Sequence, residues 1–308
     1  MILKTDMTAN PVDGSWITIG SFDGVHLGHQ SLIKKLVATA RENKAKAVVV
    51  TFWPHPSAYF AKAQTPRALN TAEERRELLL DLKVDEVVTL PFDRSIAEMT
   101  ANEFLEFLKK EHGMKGLIIG PNTTIGKGRG GTPETLQQIT AGLGVALKVA
   151  EAVALPGEMV SSSAIRKLLQ ENRISQANQM LGRPYRLSGR VVHGEHRGSG
   201  LGVPTANLQI PVERLIPANG VYVTRAVLEG KAYASVTNIG VRPTFENPLP
   251  SPRIEPHILD MKDQIYDRIL ALEFMEYLRP EIKFNDPSEL VAQIQKDISA
   301  TRDFFQVR

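Results

Sequence analysis

Cysteine is absent from the 308 residues, which excludes disulfides, thiol nucleophiles and cysteine-ligated metals. No apolar run approaches the ~20 residues needed to span a bilayer. The opening MILKTDMTANPVDG lacks a signal-peptide pattern, so a cytoplasmic protein without a membrane partner is expected. Excess charge of either sign is also scarce. Lys and Arg number 37 against 34 Asp and Glu, a formal net charge of +3. The basic residues are mixed with acids, with no lysine-rich tail or arginine stripe, so nucleic acid is not an expected partner. Nucleotides and other small anions suit this balance equally well. No internal repeat or low-complexity segment is visible, and nothing in the sequence reports the oligomeric state.

What remains is a chain with 42% hydrophobic and 23% charged residues, the composition of a globular protein. Its length suits one large domain or two of ordinary size. From Trp16 to about Val153, apolar runs alternate with helical periodicity. Strands are expected at 16–19, 46–52, 86–92, 116–120 and 145–153. Helices with capping boxes are expected after Thr71 (with Glu74) and Thr100 (with Glu103), and Thr132-Pro133 reads as an N-cap and first turn. This alternation predicts a parallel sheet covered on both faces, with ligands bound beyond the carboxyl ends of its strands. Two short helices are expected at 160–172 and 174–182.

After Gly182 the grammar changes. YRLSGRVVHG, GVYVTRAVLEG, KAYASVTNIG, RIEPHILD and RILALEFMEYL are strand-like and joined by Gly, Pro and Asn, with no helix between them. They predict an antiparallel sheet or closed barrel. A last helix begins at Asp286-Pro287, with Glu289 as capping partner and Leu290, Ile294 and Ile298 on one stripe. The expected domains are therefore 1–183 and 184–308.

Two constellations carry chemistry. In the first, GSFDGVHLGH (20–29) follows the first strand and opens a helix. Free N–H groups and the positive helix end favour a triphosphate there, with His26 and His29 three residues apart on one side. Gly20, Phe22 and Gly24 belong to the same turn, and Gly28 permits close backbone approach. VSSSAIR (160–166) adds hydroxyls from Ser162 and Ser163 and the Arg166 guanidinium. A nucleophile that is already an ionised phosphate needs no base, so such a site aligns groups and stabilises charge on the α-phosphate and departing pyrophosphate. The alternative reading is a capping serine cluster beside two surface histidines. GKGRGG (126–131) fits a dinucleotide fingerprint and has Glu151 twenty positions on. It follows a late strand with PNTTI intervening, so a mobile, basic glycine-rich loop is the better reading.

The second constellation is HGEHRGSGLGVPTAN (193–207) with RIEPHILD (253–260). The arc around Gly194, Gly200 and Pro204 offers backbone amides to phosphates. Thr205 and Asn207 supply neutral oxygens suited to a hydrated Mg²⁺. Glu255 alternates with Arg253 and His257 on one side of a strand. A carboxylate there can take a proton from an alcohol attacking a γ-phosphate; an exposed strand acid is the alternative.

Together with TFWPHP (51–56), LPFD (90–93), GRPY (182–185) and NIGVRPTF (238–245), these segments resemble the bacterial bifunctional riboflavin kinase/FAD synthetase family over nearly the whole chain. The resemblance implies an N-terminal Rossmann-like nucleotidyltransferase domain that adenylylates FMN. It also implies a C-terminal six-stranded riboflavin-kinase-like barrel that phosphorylates riboflavin, with ATP and Mg²⁺ for both steps. It assigns His26, His29, Ser162, Ser163 and Arg166 to adenylylation and Asn122 to the flavin side. It assigns Thr205 and Asn207 to the kinase magnesium and ATP, and Glu255 to the kinase base. Where the family carries aromatics after the fourth strand, this chain has Asn122-Thr123-Thr124-Ile125-Gly126. Trp53, where the family often has an acid, offers a substitute flavin surface, and Pro54 and Ile125 are the other expected flavin contacts. Val203 replaces an aromatic before P-T-A-N, and Asp267 replaces a glycine after Tyr266. The alternatives are retention of a single activity, an adenylyltransferase for another phosphorylated substrate, and a nucleotide-responsive regulator that binds nucleic acid.

Overall fold

The computed structural model describes residues 14–60, 66–155, 158–193, 203–240, 252–261, 263–284 and 286–306. The chain forms two compact units, Met1–Val160 and Ser161–Arg308.

The first unit alternates strand and helix. Its elements are β1 (Ser15–Ile19), α1 (Leu27–Glu42), β2 (Lys46–Trp53), α2 (Pro56–Phe60), α3 (Ala72–Asp81) and β3 (Glu86–Pro91). They continue with α4 (Arg94–Glu98), α5 (Ala101–His112), β4 (Met114–Ile119), α6 (Pro133–Gly142) and β5 (Ala146–Val149). A short antiparallel pair, β6 (Ala154–Leu155) and β7 (Glu158–Met159), follows. The five long strands lie parallel in the order β3-β2-β1-β4-β5.

Period-two alternation divides the sheet's side chains between two cores. Ile17, Val48, Val50, Leu117 and Ile119 pack with Phe104, Leu105 and Leu108 of α5 and Leu136 of α6. Trp16, Ala47, Val49 and Ile118 pack with Ile33, Leu36 and Ala40 of α1 and Leu79 of α3. Helices therefore cover both faces, as the alternating pattern predicts. Both capping boxes form: Thr71 with Glu74 and Thr100 with Glu103. Thr132 caps α6, with Pro133 in its first turn. Gly116 is the register partner of Trp16, whose indole occupies the space a Cβ at 116 would need.

The second unit begins with α7 (Ser162–Gln170) and α8 (Ile174–Leu181). Next come β8 (Tyr185–Val192), β9 (Asn207–Gln209), β10 (Gly220–Leu228), β11 (Lys231–Gly240), β12 (Arg253–Ile258), β13 (Ile269–Arg279) and α9 (Pro287–Gln306). The strands form an antiparallel six-stranded sheet in the order β12-β11-β10-β13-β8-β9. Ala206 N donates to Pro256 O at 2.9 Å, so the ends of the sheet meet and the barrel is nearly closed. Asp286 caps α9 by accepting from Ser288 N at 2.6 Å. A two-nitrogen Arg279–Asp297 pair, 3.0 and 2.7 Å, ties that helix to β13.

The compact division falls earlier than residue 184, and hydrogen bonds give the reason. Asn178 Nδ2 donates to Phe274 O at 2.8 Å, and Tyr185 N donates to Asn178 Oδ1 at 2.8 Å. Ala218 N donates to Leu169 O, and the Tyr222 hydroxyl reaches Asn172. Both short helices are thereby bonded to the barrel. Elsewhere β5 ends at Val149, short of the expected 153, and the three-residue β9 was not foreseen as a strand. GKGRGG is a closed turn: Ile125 and Gly131 exchange both backbone bonds, and Lys127 N donates to Met99 O at 2.7 Å.

Candidate active sites

β1 and β4 are neighbours, and the connections leaving them, through α1 to β2 and through α6 to β5, turn to opposite sides. The crevice beyond the carboxyl ends of β1 and β4 is therefore a topological switch point. Gly20–His29 leaves β1 there. Its turn is strained: Phe22, Gly24 and Val25 have φ of 47, 84 and 39°. Left-handed backbone is unusual for any residue with a Cβ and an outlier for a β-branched one. Strain of this kind, of order 1–3 kcal/mol per residue, collects at functional sites. Asp23 is buried and accepts from Leu69 N at 2.9 Å. Gln30 Nε2 donates to Val25 O at 2.9 Å, holding the turn against α1.

His26 is the N-cap of α1, with Nδ1 facing His29 N at 3.4 Å. The two imidazoles stack with centroids 3.7 Å apart and planes at 19°, and Phe22 meets His29 edge-on at 5.2 Å. A Cβ at Gly28 would lie 3.1 and 3.2 Å from His26 Cε1 and Nδ1, so only glycine leaves that ring undisturbed. It would also lie 3.9 Å from Val160 O, the residue directly before Ser161. The two imidazoles and the N-terminus of a sixteen-residue helix thus meet at one point, a ready site for a phosphate chain.

The proposed flavin positions separate. Trp53, at the end of β2, is half-buried and Pro54 is exposed. Asn122 is exposed in the turn after β4, the strand beside β1. Ile125 is 6% exposed and packs in the core with α5 and α6, so its side chain is not offered to a ligand. A loop residue gives no periodicity from which that burial can be read. Sequence reasoning also passed over Tyr59, Phe60 and Phe92, whose rings meet edge to face at 5.2 to 5.9 Å. Tyr59 and Phe60 are 43 and 67% exposed. The signal was an aromatic pair, Tyr59-Phe60, two residues beyond TFWPHP.

In the second unit, Ser161 caps α7, accepting from Ala164 N at 3.1 Å. Ser162 and Ser163 are its first two residues, and Arg166 lies a turn on, with Ile165, Leu168 and Leu169 buried on the opposite stripe. On β12, Ile254, Pro256 and Ile258 point inward, while Arg253, Glu255 and His257 are half-buried on the other side. That strand is held against the segment preceding β9 by the Ala206–Pro256 bond and by His257 Nδ1, 2.8 Å from Pro204 O. Thr205 and Asn207, flanking Ala206, are thereby fixed beside the strand that carries Glu255. Asn238 on β11 is the register partner of Glu255 and was not singled out from sequence. Gly194 and Gly200 lie outside the described residues.

The FAD synthetase family matches residues 9–164, and the riboflavin kinase family matches 181–305. A bifunctional riboflavin kinase/FMN adenylyltransferase of Haemophilus influenzae is 34% identical over 96% of this chain and 95% of its own. The proteins of that name from Escherichia coli K12 and Bacillus subtilis are 34 and 33% identical, over 97 and 92% of this chain and 96 and 90% of theirs. The chain belongs to the bifunctional riboflavin kinase/FMN adenylyltransferase family. The crystal structure of the macrolide-efflux protein from Streptococcus pneumoniae has a TM-score of 0.87 at 29% identity, covering 96% of this chain and 95% of that one. Among the described residues no helix is long and apolar enough to cross a membrane.

One departure from the family pattern now has a structural reading. Asp267, where the resemblance leads to an expected glycine, sits at φ 62°. Glycine adopts that conformation freely, and aspartate is among the few other residues that tolerate it. Val203, in place of an aromatic, is 4% exposed and fills the position as core.

Proposed function

We infer that this chain phosphorylates riboflavin to FMN and then adenylylates FMN to FAD, using ATP in both steps. The observation that carries the adenylylation is the His26–His29 stack at the N-terminus of α1, placed at the switch point of a parallel sheet. The FMN phosphate, already ionised, attacks the α-phosphate of ATP, and pyrophosphate leaves. His26, His29 and the turn residues Gly20, Phe22, Gly24 and Gly28 bind and orient the triphosphate, Gly20 by close backbone approach, since its amide donates to Val50 O at 3.1 Å. Ser162, Ser163 and Arg166 are assigned to the same step, where hydroxyls and a guanidinium would offset the charge of the departing pyrophosphate. Functionally the first domain therefore extends to residue 183, taking α7 and α8, and the kinase domain is 184–308.

On the flavin side we assign Trp53, Pro54 and Asn122. The half-buried indole takes the stacking role that Asn122-Thr123-Thr124 does not provide. In the kinase step Glu255 accepts the proton of the riboflavin 5′-hydroxyl as it attacks the γ-phosphate. Gly194, Gly200 and Thr205 hold the ATP phosphates, with Pro204 shaping the arc that carries them. The neutral oxygens of Thr205 and Asn207, fixed beside β12, suit a Mg²⁺ that keeps several waters and shares phosphate oxygens, where it would neutralise charge on the transferred group.

Incubation of the purified protein with MgATP and riboflavin, and separately with FMN, tests both steps by chromatography of the flavins. FMN and FAD are expected from riboflavin, and FAD with pyrophosphate from FMN. Absence of every product would overturn the reading. FAD from FMN without any FMN from riboflavin would leave the adenylyltransferase alone.

A further inference from the structure

Arg75 of α3 is the bulkiest side chain fully enclosed among the described residues, at 1% exposure. It occupies an apolar position of its helix, one turn before the buried Leu79. Burial lowers the guanidinium's pKa, and the nearby carboxylates of Asp23 and Glu73 oppose that shift. Its Nε and Nη2 have no hydrogen-bond partner among the described residues. A position that only needed filling would take an apolar side chain; the cation also faces the buried Asp23 carboxylate, which it helps to balance. Packing alone therefore gives no reason for a cation here.

Its attachments do. Nη1 donates to Thr51 Oγ1 at 3.2 Å and to Phe52 O at 3.1 Å. The Thr51 hydroxyl in turn donates to Ser21 O at 3.2 Å, inside the nucleotide turn. The guanidinium carbon lies 5.7 Å from the centre of the Trp53 ring. One buried group thus joins the turn that precedes His26, the backbone just before Trp53, and one face of the Trp53 indole. A cation against an aromatic face fixes that ring's orientation.

We propose that Arg75 is a positioning residue for adenylyl transfer, holding the Trp53 indole as the platform for the flavin ring and locking it to the nucleotide turn. This rests on Trp53 as a flavin contact. Arg75 itself touches neither substrate. Its effect reaches FMN through Trp53, so the two residues act as one unit.

A double-mutant cycle with FMN as varied substrate separates the two claims, with riboflavin phosphorylation as an integrity control for the other site. Trp53→Ala is expected to raise KM for FMN. Arg75→Met is expected to raise it about tenfold with kcat changed less than about threefold, and Arg75→Lys, which keeps a cation near the ring, is expected to recover part of the loss. In the Trp53→Ala background, Arg75→Met is expected to add nothing further. An unchanged KM in Trp53→Ala would overturn the flavin role of Trp53 and this inference with it. A raised KM in Trp53→Ala, with Arg75→Met either silent or multiplicative in the double variant, would overturn the role of Arg75 alone. If Arg75→Met does not fold, the cycle is run with Arg75→Lys under the same criterion.

Discussion

In the first unit the proposed phosphate site is mostly backbone: a turn with positive φ at Phe22, Gly24 and Val25, the N-terminus of α1, and two histidines stacked on its first turn. In the second unit the candidate kinase site is mostly side chain. Glu255 is one residue of a regular strand, set beside Thr205 and Asn207 by two hydrogen bonds to β12. A site made of backbone is vulnerable to any added atom, even a methyl group. A site made of side chains on a regular strand tolerates its neighbours but depends on the chemistry of a single group.

The largest expected effect separates the two sites directly. Glu255→Gln keeps the shape of the strand and removes the base, so riboflavin phosphorylation is expected to fall about a thousandfold, within the usual range for a general base. Adenylylation of supplied FMN is expected to stay within a factor of two of the parent. His29→Ala reverses the pattern: loss of a phosphate donor is expected to lower adenylylation about a hundredfold and leave the kinase step untouched. Equal loss of both activities in either variant would show that the two sites are not independent.

Gly28→Ala sharpens the comparison from the backbone side. The new methyl would press on a His26 ring that is already stacked at 3.7 Å on His29 and has little room to yield. A misplacement of a few tenths of an ångström at a reacting centre is expected to cost about tenfold in adenylylation kcat. Alanine meanwhile favours the helix by about 0.5–1 kcal/mol, so the melting temperature is expected to hold or rise. Lower activity with undiminished stability would mark Gly28 as kept for the histidines. Unchanged activity would show that His26 does not need its present position.

Much of this architecture was legible because local signals agreed with one another. Thr71/Glu74 and Thr100/Glu103 marked their helices, and alternation along β12 placed Glu255 apart from the buried Ile254 and Ile258. What stayed hidden depended on tertiary packing. Arg75 sits within EERRELLL and reads as an ordinary helix charge. Only its spacing from Leu79 marked it as lying on the buried stripe. Ile125 reads as loop yet packs in the core, because Gly131 draws it back into a two-bond bridge. The compact boundary fell at Val160 because Asn178, Leu169 and Asn172 spend their hydrogen bonds on the barrel, which no local pattern announces.

The smallest expected effect concerns Asp267, where the barrel makes a demand on backbone of the kind that dominates the first unit. Its amide donates to Val191 O at 2.9 Å, so the left-handed turn before β13 is pinned in place and cannot relax to another conformation. Its side chain is largely exposed and lies 4.0 Å from Arg190, a separation at which an exposed pair contributes little. Asp267→Gly is therefore expected to leave the melting temperature of the barrel nearly unchanged, relief of strain offsetting the added freedom of the unfolded chain. Asp267→Val keeps a Cβ and adds a branch, which left-handed backbone disfavours. It is expected to destabilise by about 1–2 kcal/mol. Denaturant unfolding of the three proteins checks this, and a valine variant as stable as the parent would show that the turn is free to move.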